Sequence, residues 1–220
     1  MNSTQGRAKG RGRNSKRQQI LAAATERFGR DGYEHTKWAD IAADVGVGPT
    51  ALYHYFESKQ HCVYEIMDEA IEDFRARFVK ITSSERDPAR ALAAVIGNCF
   101  ELSELEVLRN RVLVAEQGLL SAPSTSEREE RARQAARART RDLEFAWASF
   151  LDAAMRQGAI ERTDPRLLTR ALLGLYNSVW HWYRPNGIIA LPRIAEYFTQ
   201  LALAMVGLPP RAREPERVAA

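Results

Sequence analysis

Four side chains in one short stretch are suited to reading a surface rather than reacting with it. Pro49, Thr50, Tyr53 and His54 are short, polar or flat, and they fall together in TKWADIAADVGVGPTALYHYF (36–56). Thr36 is a good cap for a first helix bearing Trp38, Ile41, Ala42 and Val45. A second, short helix would carry Ala51, Leu52, Tyr55 and Phe56. Between them Gly46 offers a positive-φ position for a turn. Ala42 and Ala43 offer small residues where helices touch, and Val47 and Leu52 offer the apolar anchor. Two helices crossed at a glycine-bearing turn make a helix-turn-helix, a unit that lays its second helix in a DNA groove. Pro49, Thr50, Tyr53 and His54 would then face that groove.

Other groups form no reactive constellation. His54 and His61 are seven residues apart, and His35 and His181 stand alone. No pair has i, i+4 spacing and no Cys or Asp set surrounds them, so no metal site is expected. The sequence holds no GxSxG, P-loop, GxGxxG or HExxH pattern, so neither an enzyme nor a cofactor is expected. Cys62 and Cys99 are the two cysteines. Each sits in an apolar helical pattern, which fits a reducing cytoplasm rather than a disulfide framework.

Charge is uneven along the 220 residues. Residues 1–17 hold Arg7, Lys9, Arg11, Arg13, Lys16 and Arg17 and no acid, within a total of 32 basic and 28 acidic residues. A basic arm therefore precedes a near-neutral body. The longest uncharged stretch, Tyr197 to Pro210, is 14 residues, short of the roughly 18 to 20 that a membrane span needs. No membrane partner and no secretory signal are expected. The Arg-rich 128–141 segment alternates with Ala and Glu and is expected to be a solvated helix face.

The elements needed to place these groups are all helical. Residues 1–14 are expected to form a disordered basic arm and 209–220 a disordered tail. Helices are expected over 15–30, 36–46, 48–56 and 58–81, the last with Val63, Ile66, Met67, Ala70, Ile71, Phe74 and Phe78 at i, i+3, i+4 spacing. Asp87-Pro88 and Asp164-Pro165 each pair a cap with a proline and open further helices. Ser126-x-x-Glu129 has the form of a capping box opening a long one. The expected architecture is all-α, with a three-helix helix-turn-helix domain at 15–60 and a six-helix ligand-binding and dimerisation domain at 61–208.

The N-terminal pattern resembles the DNA-binding domain of the TetR family of bacterial repressors. The resemblance runs over about residues 15–66. It rests on Ala22-Ala23-Ala24 and Phe28, Gly32-Tyr33 before Thr36, Ile41-Ala42, Gly46-Val47, and Leu52-Tyr53-His54-Tyr55-Phe56 followed by Ser58-Lys59. It implies an all-helical homodimer with a ligand-receiving C-terminal domain. It also implies that Tyr53, Tyr55 and Lys59 contact phosphates, with Thr36 assisting at a helix N-terminus. Pro49 and Thr50 would read base edges, His54 fits either role, and Arg11, Arg13, Lys16 and Arg17 would lie along a minor groove. Two positions depart from the family pattern: Gly48 replaces the usual Ser or Thr, and His61 stands where many members have Glu or Asp.

The C-terminal helices supply two further expectations. Helix 165–183 is apolar nearly all round, so it needs cover on two sides. A second copy of the chain would provide one of them through Leu172, Gly174, Leu175, Val179, Tyr197, Phe198, Leu201 and Met205, as an isologous four-helix bundle. The candidate ligand pocket is lined by Met67, Ile71, Phe74, Cys99, Phe100, Trp147, Phe150 and Tyr176, with Asn98, Arg109 and Asn177 as polar contacts. Trp180-His-Trp-Tyr-Arg-Pro-Asn-Gly187 is similar to a segment of a TetR subgroup tied to fatty-acid and sterol breakdown, whose effectors are often acyl-CoA thioesters. The expected function is a cytoplasmic repressor that binds palindromic operator DNA and is released by a small apolar or acyl-CoA-like effector. The alternative is a ligand- or protein-binding module of the same fold without specific operator binding.

Overall fold

The computed structural model describes the backbone of residues 3–124 and 126–209 and the side chains of 15–124 and 126–209. Among them there are nine α-helices, one 3₁₀ turn and no strand. The helices are α1 (Ser3–Asp31), α2 (Trp38–Asp44), α3 (Pro49–Leu52), α4 (Lys59–Ser84), α5 (Pro88–Asn98), α6 (Glu104–Ala115), α7 (Glu127–Arg156), α8 (Pro165–Trp182) and α9 (Leu191–Met205), with a 3₁₀ turn at Gln117–Leu120. None of the described helices is long and apolar enough to cross a membrane.

Local chemistry accounts for most helix starts. Asp87 and Asp164 accept from the backbone amides two and three residues on, with proline next in line at each start. Such a cap contributes about 1 kcal/mol. A complete capping box forms at Ser103 and Glu106, where none was expected. The one expected at Ser126 forms by half. Ser126 Oγ accepts from the Glu129 amide, but the Glu129 carboxylate turns to Ser58 and Ser124 instead. α1 also departs from expectation. It begins at Ser3, inside the segment expected to be a disordered arm, because Lys, Arg and Gln have fair helix propensity and continue the register upstream. The tail expected over 209–220 lies outside the described residues from 210 onward.

The chain divides into two compact units, Met1–Arg75 with Leu102–Leu143, and Ala76–Glu101 with Glu144–Ala220. α4 and α7 each supply residues to both. The expected division at residue 60 is thus not the one along which contacts group.

In the first unit the core holds Ile20, Leu21, Ala24 and Phe28 of α1, Ile41 and Ala42 of α2, Leu52 of α3, Phe56, and Cys62, Val63, Ile66 and Met67 of α4. Each large side chain there contributes about 1.5–3 kcal/mol by leaving water. The polar face of α4 is held by arginines from two other helices. Arg109 of α6 reaches Asp73 at 2.6 Å and Glu69 at 3.1 Å. Arg139 of α7 reaches Asp68 at 2.6 Å and also Glu72. The Glu72 carboxyl is held down at about 2, first by Arg75 and then by Arg139. This lattice of charges fixes α4 in rotation as well as in depth.

In the second unit Phe78 stacks on Trp147 at 4.9 Å and meets Phe150 edge-on. Phe100, Tyr176 and Trp180 touch one another at 5.4–5.8 Å. Leu92, Val95, Ile96, Leu172, Val179, Ile194 and Leu203 fill the rest.

One glycine marks a close helix crossing. A Cβ placed on Gly29 of α1 would stand 2.7 Å from Leu108 Cβ of α6, nearer than real Cβ contacts come. Gly29→Ala should therefore destabilise the fold by about 1–3 kcal/mol through overpacking. A thermal melt checks this, and an unchanged Tm would mean α1 and α6 do not cross so closely.

Candidate nucleic-acid interface

α3 has only four residues, too few for a helix to hold itself together. Its ends are set by its neighbours. Upstream, Gly46 takes φ +67°. Val47 N–H bonds Ala42 carbonyl at 2.9 Å and Gly46 N–H bonds Ala43 carbonyl at 3.1 Å, closing α2 as a Schellman motif. Lys16 Nζ donates to the Val45 carbonyl at 3.2 Å, a cation at a helix C-terminus. The Arg27 guanidinium pairs with both oxygens of Asp44, tying α1 to α2 and holding the Asp44 carboxyl below its ordinary range.

The expected second helix over 48–56 is shorter than the pattern suggested. From Thr50 onward the carbonyls are reached from three residues along: Tyr53 to Thr50, His54 to Ala51 and Tyr55 to Leu52. A run of aromatic residues loses side-chain freedom against the preceding turn and does not sustain a regular helix. Leu52 and Phe56 are fully buried. That burial turns Pro49, Thr50, Tyr53 and His54 outward together, with Tyr53 54% exposed. The four residues expected to face a groove thus share one exposed surface.

The expected phosphate contacts fare differently. Thr36 is buried at 4% exposure, and its hydroxyl donates back to the Gly32 carbonyl at 2.8 Å. The N-cap of α2 is Lys37, without a side-chain bond. Thr36 therefore neither caps α2 nor offers its hydroxyl outward. Lys59 is also committed inward. Its Nζ donates to the Tyr33 carbonyl at 2.6 Å and the Thr36 carbonyl at 3.1 Å, 4.0 Å from the centre of the Tyr33 ring. Burial keeps that ring a neutral phenol, its pKa pushed up to about 12. Arg17 pairs with Glu65 at 2.5 Å and lies 4.9 Å over the Phe56 ring. Tyr55 is half-buried at the rim of the core. The side chains of Arg11 and Arg13 lie outside the described residues.

The second unit holds a cavity of about 20 Å³, room for about one water molecule. Cys99, Phe100, Trp147 and Tyr176 of the expected pocket line it, joined by Ile96, Leu172, Leu175, Phe198 and Ala202. Met67, Ile71 and Phe74 do not, being buried in the first unit. Arg109 is taken by α4's carboxylates, the Asn98 amide donates to Glu101 at 2.6 Å, and Phe150 and Asn177 stand off the wall. Burial pushes the Cys99 thiol up to about 12, so it stays protonated, bonded to the Val95 carbonyl at 3.2 Å.

The expected dimer surface divides. Leu172, Leu175 and Phe198 line the cavity and Val179 is fully buried, so these four turn inward. Gly174, Tyr197, Leu201 and Met205 are exposed. Among the described residues no cluster of His, Cys, Asp and Glu is able to hold a metal ion.

Residues 20–66 match the model of bacterial regulatory proteins of the tetR family, and residues 107–206 match the tetracyclin repressor-like C-terminal domain. The chain belongs to the TetR family. Its members are transcriptional regulators that bind DNA through a helix-turn-helix and are not enzymes. The HTH-type transcriptional repressor KstR2 of Rhodococcus jostii (strain RHA1) is 26% identical over 202 residues, covering 87% of this chain and 91% of the relative. The solved structure of the TetR family regulator PfmR from Thermus thermophilus aligns with a TM-score of 0.68 at 26% identity, covering 88% of this chain and 99% of that one. AibR in complex with isovaleryl coenzyme A and operator DNA aligns with a TM-score of 0.68 at 22% identity, covering 84% of this chain and 97% of that one, and shares the fold.

Two substitutions separate display from support. Tyr53→Phe should leave the melting temperature unchanged, since its ring edge is exposed. Lys59→Met should lower stability by about 1–3 kcal/mol, because two carbonyls lose a charged donor. Calorimetry on both variants checks this, and an equal effect would mean Lys59 supports nothing.

Proposed function

We propose that the protein is a ligand-responsive repressor that binds a palindromic operator as a homodimer and releases it when a small apolar or acyl-CoA-like molecule enters the second unit. The observation that carries this assignment is the exposed set Pro49, Thr50, Tyr53 and His54, backed by the buried pair Leu52 and Phe56. A rigid, solvent-facing group of short and aromatic side chains at the end of a helix-turn-helix suits the major groove. Pro49 and Thr50 read base edges there. Tyr53 holds a phosphate, and Lys16, Arg17 and Lys59 fix the scaffold from behind.

A dimer supplies the second recognition segment, which must land about 34–36 Å from the first along the operator. The exposed apolar residues of α8 and α9, Leu167, Trp182, Tyr197, Leu201 and Met205, have no cover in a single chain. Gly174, with open space beside it, lets a neighbouring helix come close. In the second unit the wall of the cavity is almost wholly apolar and aromatic, which favours a hydrocarbon body. The repressor name of the R. jostii relative supports repression. The 180–187 segment supports an acyl-CoA or sterol-derived effector. For a hundredfold release of DNA, the effector must favour the non-binding state by about 2.7 kcal/mol.

Fluorescence anisotropy against genomic fragments flanking its own gene tests operator binding. One fragment should be preferred over random DNA at about 0.15 M salt, the affinity falling steeply as salt rises. No preference would end the repressor assignment. On that fragment Tyr53→Phe should weaken binding by about 1–3 kcal/mol. Leu201→Glu should convert the dimer to monomer in native mass spectrometry, and a dimer that survives it would place the interface elsewhere.

A further inference from the structure

We propose that His61 is a positioning residue for DNA recognition, its Nδ1 accepting from the Glu57 amide so that the recognition segment ends at a fixed point on the first turn of α4. His61 is 4% exposed, and every edge of its ring is engaged. Nδ1 receives the Glu57 N–H at 3.2 Å. This leaves the ring proton on Nε2, which faces Glu65 Oε1 at 3.4 Å. The His61 amide in turn donates to Ser58 Oγ at 3.0 Å. Glu57 and Ser58 are thus the corner between Phe56 and α4, and His61 closes that corner through its ring and its backbone.

The corner matters because it is where the recognition segment stops. Phe56, fully buried, is met edge-on by the His61 ring at 5.7 Å and covered by the Arg17 guanidinium at 4.9 Å. Arg17 continues to Glu65 at 2.5 Å, the same carboxylate that faces Nε2. Phe56, His61, Glu65 and Arg17 therefore form a closed circuit at the residue where the recognition segment ends. The Ser58 hydroxyl supplies the usual cap at the start of α4. The His61 imidazole, two residues beyond Lys59, takes the Glu57 amide, which lies just before that cap, so its removal frees a backbone donor at the end of the DNA-reading surface.

Two variants separate the two ring nitrogens. His61→Asn places an amide oxygen near the position of Nδ1 and keeps an acceptor for Glu57. His61→Gln places its amide near Nε2, keeps a link to Glu65 and leaves the Glu57 N–H unpaired. The DNA arm rests on the repressor assignment and uses the fragment that the unaltered protein prefers. H61N should bind it within about threefold of the unaltered protein, and H61Q about tenfold or more weaker, one cap's worth of free energy. Amide hydrogen exchange on the DNA-free protein reads the same corner: residues 57–61 should exchange faster in H61Q than in H61N. ¹⁵N NMR of the unaltered protein should find the His61 proton on Nε2. Equal binding and equal exchange in the two variants, the reverse order, or a proton on Nδ1 would each overturn the proposal. A protein that prefers no fragment sinks the repressor assignment alone, because the exchange and NMR arms still decide the corner.

Discussion

A helix of four residues has no stability of its own. α3, which carries Pro49 and Thr50, closes barely one turn, and nucleating a turn is unfavourable in isolation. Its direction is therefore decided by its two ends. At one end Gly46 turns the chain through the left-handed region, where a side chain would cost about 1–2 kcal/mol. At the other, Leu52 and Phe56 plug the core while His61 holds the Glu57 amide beside Phe56. The backbone beneath the exposed quartet is thereby held on both sides.

The same logic explains why so many cations point inward. Lys16, Arg17 and Lys59 each direct their charge to a carbonyl, a carboxylate or a ring of the same unit. A long cationic side chain aimed at phosphate from an exposed stem loses much rotamer freedom on binding. A cation that instead secures the turn beneath an aromatic hydroxyl lets that hydroxyl bind with little further ordering. Preorganisation of this sort raises affinity without adding contacts. It also makes the supporting residues sensitive to substitution in stability and in DNA binding together.

Local signals carried far in the sequence, and tertiary partners did not. The helix-turn-helix was legible because its glycine, small residues and anchors lie within 36–56 and act on one another directly. The Asp-Pro caps at 87–88 and 164–165 were legible for the same reason. Thr36 looked like a cap by type and place, yet its hydroxyl bonds Gly32, since the chain arrives at α2 one residue later. Periodicity marked α8 as apolar on several faces, but a 3.6-residue pattern says which residues share a face and not what covers it. Leu172 and Leu175 consequently belong to the cavity wall, while Gly174 between them is exposed. Gly29 gave no signal at all, because its role depends on Leu108, which only folding brings near it.

The size of the cavity bears on how an effector would act. About 20 Å³ is space for a water molecule, far below the several hundred Å³ that sites for drug-sized ligands enclose. Under the proposed function, a molecule of even ten heavy atoms would have to part the rings that line this space, Phe100 and Tyr176 among them. Entry and loss of the closed packing would then be a single event. Interiors packed at this density do not deform by small degrees; they change between discrete arrangements. The cost of opening lowers the apparent affinity of every ligand by the same factor. A ligand that offsets it with its own apolar area converts binding energy directly into a structural change. α4, which follows directly on the recognition segment and has residues in both units, would give such a change a covalent route to it.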